Sequence, residues 1–253
     1  MILDLFNLEG KVAIVTGASR GLGQGVAIAL AEAGCNIVGV STKNSKETEE
    51  KIVALGRKYL DISCDLTTQD RLDSIIDSAL KSFGKIDILV NNSGIIRRED
   101  AINFSEIDWD DVMNVNLKSA FFLSQKVAKT FISQGNGGKI INIASLLSFQ
   151  GGIRVPSYTS SKSAIKGLTM ALANEWAKES INVNGIAPGY MATDNTEALR
   201  NDPARSKELL SRIPAGRWGT PKDIGGAVVF LASEASNYVN GFTLAVDGGW
   251  LAR

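Results

Sequence analysis

Short runs of β-branched and aliphatic residues recur along the chain, each followed by a longer stretch whose apolar positions fall three and four residues apart. The runs at 11–16 (K-V-A-I-V-T), 36–40, 58–63, 86–91, 139–144, 181–186 and 242–246 predict strands. The stretches at 22–33, 45–55, 66–83, 109–134 and 157–177 predict helices, three of them closed by Gly34, Gly56 and Gly84. The strands are apolar almost throughout, as strands covered on both faces must be. Strand–helix alternation at this spacing calls for right-handed parallel crossovers. The pattern therefore predicts an α/β fold, a doubly wound parallel sheet with helices on both faces, built as one domain over 1–253.

One stretch breaks the rhythm. Between the sixth and last strands lie residues 187–241, with a charged helical pattern at 202–212 and another at 220–233 that carries Pro221 in its first turn. An insertion beyond a strand's carboxyl end is where lids and substrate walls are built, so a lid is expected at about 188–219.

Composition narrows the classes. The 253 residues carry 27 Lys+Arg against 27 Asp+Glu, which gives no reason to expect nucleic acid or an acidic membrane as partner. Cys35 and Cys64 form no C-x-x-C pair and the chain has no histidine, so buried free thiols are expected, with no metal site and no disulfide framework. The first ten residues lack a basic region followed by a long apolar run, so no signal peptide is read there, and cytoplasm is the default.

The first strand runs into T-G-A-S-R-G-L-G, residues 16–23, directly before a helix. Gly17 permits a tight turn; Gly21 and Gly23 let backbone approach a phosphate and let helix pack on strand. The helix N-terminus then offers free N–H groups to a pyrophosphate, so a dinucleotide site of Rossmann type is expected. The second strand ends V-G-V-S-T-K, where a carboxylate would hold ribose hydroxyls and repel a 2′-phosphate. Ser41, Thr42 and Lys43 stand there instead, with Arg20 in the glycine-rich turn, and by charge alone this leans towards NADP. Asp65, after the third strand, is placed either to accept from an adenine amino group or to cap the helix predicted from Leu66.

Tyr158 and Lys162 share one helical face in Y-x-x-x-K, and Ser145 closes the fifth strand in N-I-A-S. A phenol with its ordinary pKa near 10 is a poor acid or base at neutral pH, and a fixed cation lowers that value. The three residues make a candidate acid/base centre without histidine.

Together these motifs resemble the short-chain dehydrogenase/reductase family. The pieces are the glycine-rich turn, N-N-S-G at 91–94, Asn116 in M-N-V-N-L, Ser145, Tyr158 and Lys162, and P-G-Y-M-A-T at 188–193, in order over nearly the whole chain. Ser93 departs from the family's usual alanine. The resemblance implies Tyr158 as general acid/base, Lys162 as ribose ligand and phenol-tuning cation, Ser145 as donor to the substrate oxygen, and Asn116 as holder of a water beside Lys162. Asn116 read alone is also an asparagine that kinks or caps a long helix. Further implied cofactor contacts are Gly17, Ser19, Arg20, Gly21, Leu22, Gly23, Ser41, Asp65, Leu66, Asn91, Ser93, Gly94, Pro188, Gly189, Met191 and Thr193.

Segments such as G-I-I-R-R-E-D and I-P-A-G-R-W-G resemble the family's branch that oxidises and reduces C6 sugar acids at C5 in pectin and uronate breakdown. That branch implies NAD, with NADP possible, against the charge reading; a dehydrogenase acting on gluconate at C5, or another NADP(H)-dependent keto-reductase of the family, stays open. A small-molecule acid wants a bidentate guanidinium. Arg154, between serine and tyrosine, is the favourite, Arg97 is second, and Arg98 and Arg217 follow. Gln150, Tyr190, Met191 and Trp218 are expected around the rest of the pocket. A homo-oligomer, a tetramer by resemblance, is expected too: Val115, Phe121, Phe122, Val127 and Phe131 are many apolar residues for one helix, and Trp250 and Leu251 read as an exposed interface tail.

Overall fold

A computed structural model describes residues 1–253, the side chain of Asn195 excepted. Seven parallel strands form one sheet: β1 (Val12–Thr16), β2 (Asn36–Ser41), β3 (Tyr59–Ser63), β4 (Ile88–Asn91), β5 (Gly138–Ile143), β6 (Ile181–Pro188) and β7 (Thr243–Val246). Their order is β3-β2-β1-β4-β5-β6-β7, so the chain reverses direction across the sheet between β1 and β4, the switch point where such folds open a crevice.

Side chains of successive strand residues point to opposite faces, and both faces are packed. From β1, Ala13 and Val15 meet Val26 and Leu30 of helix α1 (Gly21–Glu32) and Ile224 and Val228 of α9 (Pro221–Ala232). Val12 and Ile14 face the other layer, where Leu72 and Ile75 of α3 (Leu72–Phe83) join Val127 and Phe131 of α5 (Ser119–Gln134) and Leu172 of α6 (Pro156–Trp176). Helix α2 (Lys46–Ala54) lies beyond β2. The segment between β6 and α9, where a lid is expected, carries α7 (Glu197–Asn201) and α8 (Pro203–Arg212). Among the described residues no helix is long and apolar enough to cross a membrane.

The structure revises four expectations. The helix read from residue 66 starts at Leu72, because the Asp65 carboxylate accepts from the Thr67 N–H (2.9 Å) and turns the chain instead of capping a helix. The helix read as continuous over 109–134 is α4 (Glu106–Met113), a π-helical turn over Asn114–Lys118 that contains Asn116, then α5. Val115, Val127 and Phe131 are buried within this subunit and Phe121 and Phe122 partly so; exposed large apolar residues in and just before this helical run include Ile102, Ile107, Trp109 and Ile132. Trp250 is not an exposed tail residue: it is 4% exposed, packed inside the chain with Leu146, Leu209 and Ile213. Cys35 and Cys64 are both free and buried, and burial pushes the Cys35 thiol up to about 12.

Candidate active site

A cleft of about 480 Å³ opens at the carboxyl ends of the strands. Its floor is the turn from β1 into α1. Gly17 sits at φ +69°, and a Cβ there would meet the Asn92 amide at 2.8 Å; a Cβ on Gly23 would collide with the Gly17 carbonyl. Thr16 Oγ1 accepts from the N–H groups of Asn92 and Ser93 (2.9 Å each), and the Asn92 amide donates to the Thr16 carbonyl (2.8 Å). The end of β4 is thereby tied to the glycine-rich turn. Bare backbone at the start of α1 leaves room and N–H donors for a pyrophosphate, so this chain's own residues fit a dinucleotide.

At the end of β2, the buried Ser41 hydroxyl accepts from the Ser19 N–H (3.1 Å), while Thr42 lies exposed on the cleft wall. Lys43 is exposed and outside the cleft lining. The Arg20 guanidinium reaches across to Asp194, in the segment after β6 (2.8 Å). Asp65, Leu66, Ser93, Gly94, Pro188, Gly189, Met191 and Thr193 all line the cleft with Gly21 and Leu22.

Asn91 does not. Its amide donates to Ser124 (2.9 Å) and to Asn142 (2.9 Å), and Asn142 in turn donates to Thr169 (2.9 Å), a buried chain linking β4, β5 and their helices. Asn92, one residue on, faces the cleft instead. Which of two adjacent asparagines does so depends on where the strand ends, and the N-N pair alone carries no such signal. Ile143, Asp111 and Asp194 also line the cleft without having been anticipated.

Pro156 starts α6 and so sets Tyr158 and Lys162 in its first two turns, one above the other, beside Ser145 at the end of β5. All three line the cleft. The buried Lys162 ammonium donates to the Ile143 carbonyl (2.6 Å) and stands 5.7 Å from the centre of the Tyr158 ring; among the described residues no carboxylate pairs with it. Burial lowers its pKa to about 8. Burial pushes the Tyr158 phenol upward, and the adjacent Ser145 hydroxyl and then the charge of Arg98 offset part of that. Desolvation outweighs the nearby groups, so the phenol is raised rather than lowered as the Tyr–Lys spacing predicts.

Asn116 lies behind the cleft wall. Its carboxamide accepts from the Ile95 N–H (2.8 Å) and donates to the Ile95 carbonyl (3.0 Å) and to Ser161 (3.1 Å). It fixes the backbone after β4, and Gly94 leaves the space between it and Lys162: a Cβ there would lie 3.4 Å from the Asn116 carbonyl oxygen and 3.7 Å from the ammonium.

The substrate side departs most from expectation. Arg154 is exposed, takes φ +63°, and pairs with Asp100 (3.0 Å) and Glu99 (3.8 Å) outside the cleft lining. Arg217 forms a fork with Asp223 (2.6 and 2.8 Å), whose carboxyl it holds well below the usual range. Arg98 is exposed and not on the wall. Arg97 is the candidate that lines the cleft, held by Asp108 and Asp111 (3.2 Å each). Gln150, Tyr190 and Trp218 gather around Trp250 rather than on the cleft wall.

Residues 17–251 match the family model described as Enoyl-(Acyl carrier protein) reductase. The chain is 66% identical, over all of both chains, to the 2-dehydro-3-deoxy-D-gluconate 5-dehydrogenase of Dickeya dadantii. It is 42% identical to the gluconate 5-dehydrogenase of Gluconobacter oxydans, covering 97% of this chain and 96% of that one. A solved structure of a putative 2-deoxy-d-gluconate 3-dehydrogenase from Agrobacterium tumefaciens, with bound NADP, is 55% identical and superposes with a TM-score of 0.93, covering 99% of this chain and 100% of that one.

Proposed function

This chain belongs to the short-chain dehydrogenase/reductase family, and we propose that it catalyses the reversible NAD(H)-dependent oxidoreduction of 2-dehydro-3-deoxy-D-gluconate and 3-deoxy-D-glycero-2,5-hexodiulosonate, a step in pectin and uronate breakdown. The observation that carries this reading is that one cleft joins the glycine-rich turn to Ser145, Tyr158 and Lys162. The full-length identity of 66% to a dehydrogenase named for that sugar acid supports the substrate.

Gly17, Ser19, Gly21 and Leu22 would hold the pyrophosphate, Asp65 and Leu66 the adenosine, and Pro188, Gly189 and Thr193 the nicotinamide end. A bound nicotinamide supplies or accepts the hydride at the substrate's C5. Tyr158 gives a proton to the oxygen on that carbon as the ketone is reduced and takes one as the alcohol is oxidised. Ser145 donates a hydrogen bond to the same oxygen, where negative charge develops. Lys162 holds ribose hydroxyls and presents positive charge beside the phenol. Asn116 keeps the Gly94–Ile95 backbone clear of both.

NAD(H) is the preferred cofactor in this reading and NADP(H) is also used. Nothing acidic at Ser41–Thr42–Lys43 repels a 2′-phosphate, yet the Arg20 guanidinium, which lines the same cleft, is already engaged by Asp194. The protein works in the cytoplasm, in keeping with two free thiols. It is a homo-oligomer, a tetramer; exposed Ile107 and Trp109 on α4, Ile102 just before it, and Phe242 next to β7 support that.

The test is a matrix of 3-deoxy-hexodiulosonate and 5-ketogluconate against NADH and NADPH, followed at the nicotinamide absorbance. Turnover of the first ketone and little of the second supports the assignment. Equal or better turnover of 5-ketogluconate replaces it with a gluconate 5-dehydrogenase.

A further inference from the structure

Trp250 belongs to a short 3₁₀ turn, Trp250–Ala252, that follows β7 and D-G-G. Two groups pack on its indole. Tyr190, just after β6, packs on it with ring centres 4.7 Å apart, and the Arg212 guanidinium of lid helix α8 lies 4.1 Å from its centre. The indole N–H donates to the Gln150 carboxamide oxygen (3.2 Å), in the loop between Ser145 and Tyr158. Trp218, from the far end of the lid, packs edge-on against Tyr190 (5.7 Å). Leu146, the neighbour of Ser145, is buried in the same cluster as Leu209 and Ile213 of the lid.

The turn that delivers Trp250 is itself built against the lid. Asp247 caps it, its carboxylate accepting from the N–H groups of Gly249 and Leu251 (2.8 Å each). Gly248 and Gly249 take φ +65° and +90°, and a Cβ on either would press on Ile213, Pro214 or Ala215 at 3.0–3.1 Å. The Ala215 N–H donates to the Gly248 carbonyl (2.9 Å), and Arg253 donates to the Ser211 carbonyl at the end of α8 (2.9 Å). Three separate pieces of chain therefore meet at one side chain: helix α8, the segment after β6 and the loop after Ser145.

We infer that Trp250 is a positioning residue that latches helix α8 over the substrate side and holds Tyr190 and Gln150 in register, so that affinity for the sugar acid depends on it while affinity for the dinucleotide does not. The glycine-rich turn contributes no residue to this apolar cluster, its Arg20 meeting the segment after β6 at Asp194 instead, whereas α8 and the serine loop both contribute. The inference rests on the sugar-acid reading for its kinetic arm only.

The experiment compares Trp250→Ala, Trp250→Phe and Arg212→Gln. In Trp250→Ala, KM for 3-deoxy-hexodiulosonate rises about tenfold or more, the scale of one lost aromatic and cation contact, while the NADH Kd from nicotinamide fluorescence stays within about twofold. Limited trypsin digestion cuts that variant faster at Arg205 and Lys207, within α8. Trp250→Phe, which keeps a ring and loses the N–H, recovers most of both. Arg212→Gln, at an exposed position that leaves the buried core intact, gives an intermediate shift and keeps the idea testable if the alanine variant does not fold. Wild-type KM and wild-type cleavage in both Trp250→Ala and Arg212→Gln overturn the latch, as does an NADH Kd that weakens in parallel with KM. If the wild type turns over no sugar acid, the functional reading fails, and lid cleavage still reports on Trp250.

Discussion

The Lys162 ammonium stands 2.6 Å from the carbonyl oxygen of Ile143, joining helix α6 to the last residue of β5. That contact holds the cation at the cleft with a neutral acceptor, and burial brings its pKa down to about 8. Its charge is therefore complete below about pH 7 and is lost as pH rises through 8. An unfolded lysine keeps its proton to about 10.4, so across that window the native chain binds fewer protons and this group's contribution to stability rises with pH. Cofactor binding runs the other way if the ammonium holds the ribose. The NADH Kd weakens from pH 7 to 9, and Lys162→Met binds weakly with a flat profile. A flat wild-type profile removes the charge of Lys162 from cofactor binding.

Tyr158→Phe keeps the ring and removes the proton. Turnover drops by about 100-fold or more, the usual scale of general acid/base catalysis, while the NADH Kd is retained. Steady-state rates with fluorescence titration check both, and near-normal turnover assigns the proton to another group.

Arg97 and Arg154 are separated by their surroundings. Arg97 lines the cleft and Arg154 pairs with Asp100 outside it. Arg97→Ala raises KM for the sugar acid about tenfold or more, as loss of a hydrogen bond to a charged group does, and Arg154→Ala changes it by less than about twofold, as expected of an exposed ion pair. The reverse order would return the carboxylate to Arg154.

For cofactor choice the informative position is Thr42. Ser41 is buried and occupied by the Ser19 N–H, whereas Thr42 lies exposed on the cleft wall. Thr42→Asp lowers kcat/KM with NADP(H) by about tenfold through like-charge repulsion and leaves NAD(H) largely unchanged. An equal loss with both cofactors means that Thr42 is away from the 2′ position.

Ile107 is 77% exposed on α4. Ile107→Glu lowers the mass measured by light scattering if this face is an interface, since a carboxylate cannot be buried there unpaired. A wild-type mass of one chain, 27.0 kDa, rejects the oligomer outright.

The alternation of strand and helix, the turn at Gly17–Gly23 and the Tyr158–Lys162 pair are all written within short windows of sequence, because period and turn chemistry are local properties. Hence the sheet, its coverage on both faces and the position of the acid/base pair on one helix were legible before any coordinates. The tertiary structure decided what no window contains. Asn92 rather than Asn91 reaches the cleft because β4 ends one residue before it. Arg97 rather than Arg154 lines the wall because Asp100 and Glu99, brought close by the fold, draw Arg154 away. Trp250 is an interior residue because Tyr190, Arg212 and Gln150, each from a different part of the chain, converge on it. A side chain's role near a loop depends on which distant groups compete for it, and that competition exists only once the chain is folded.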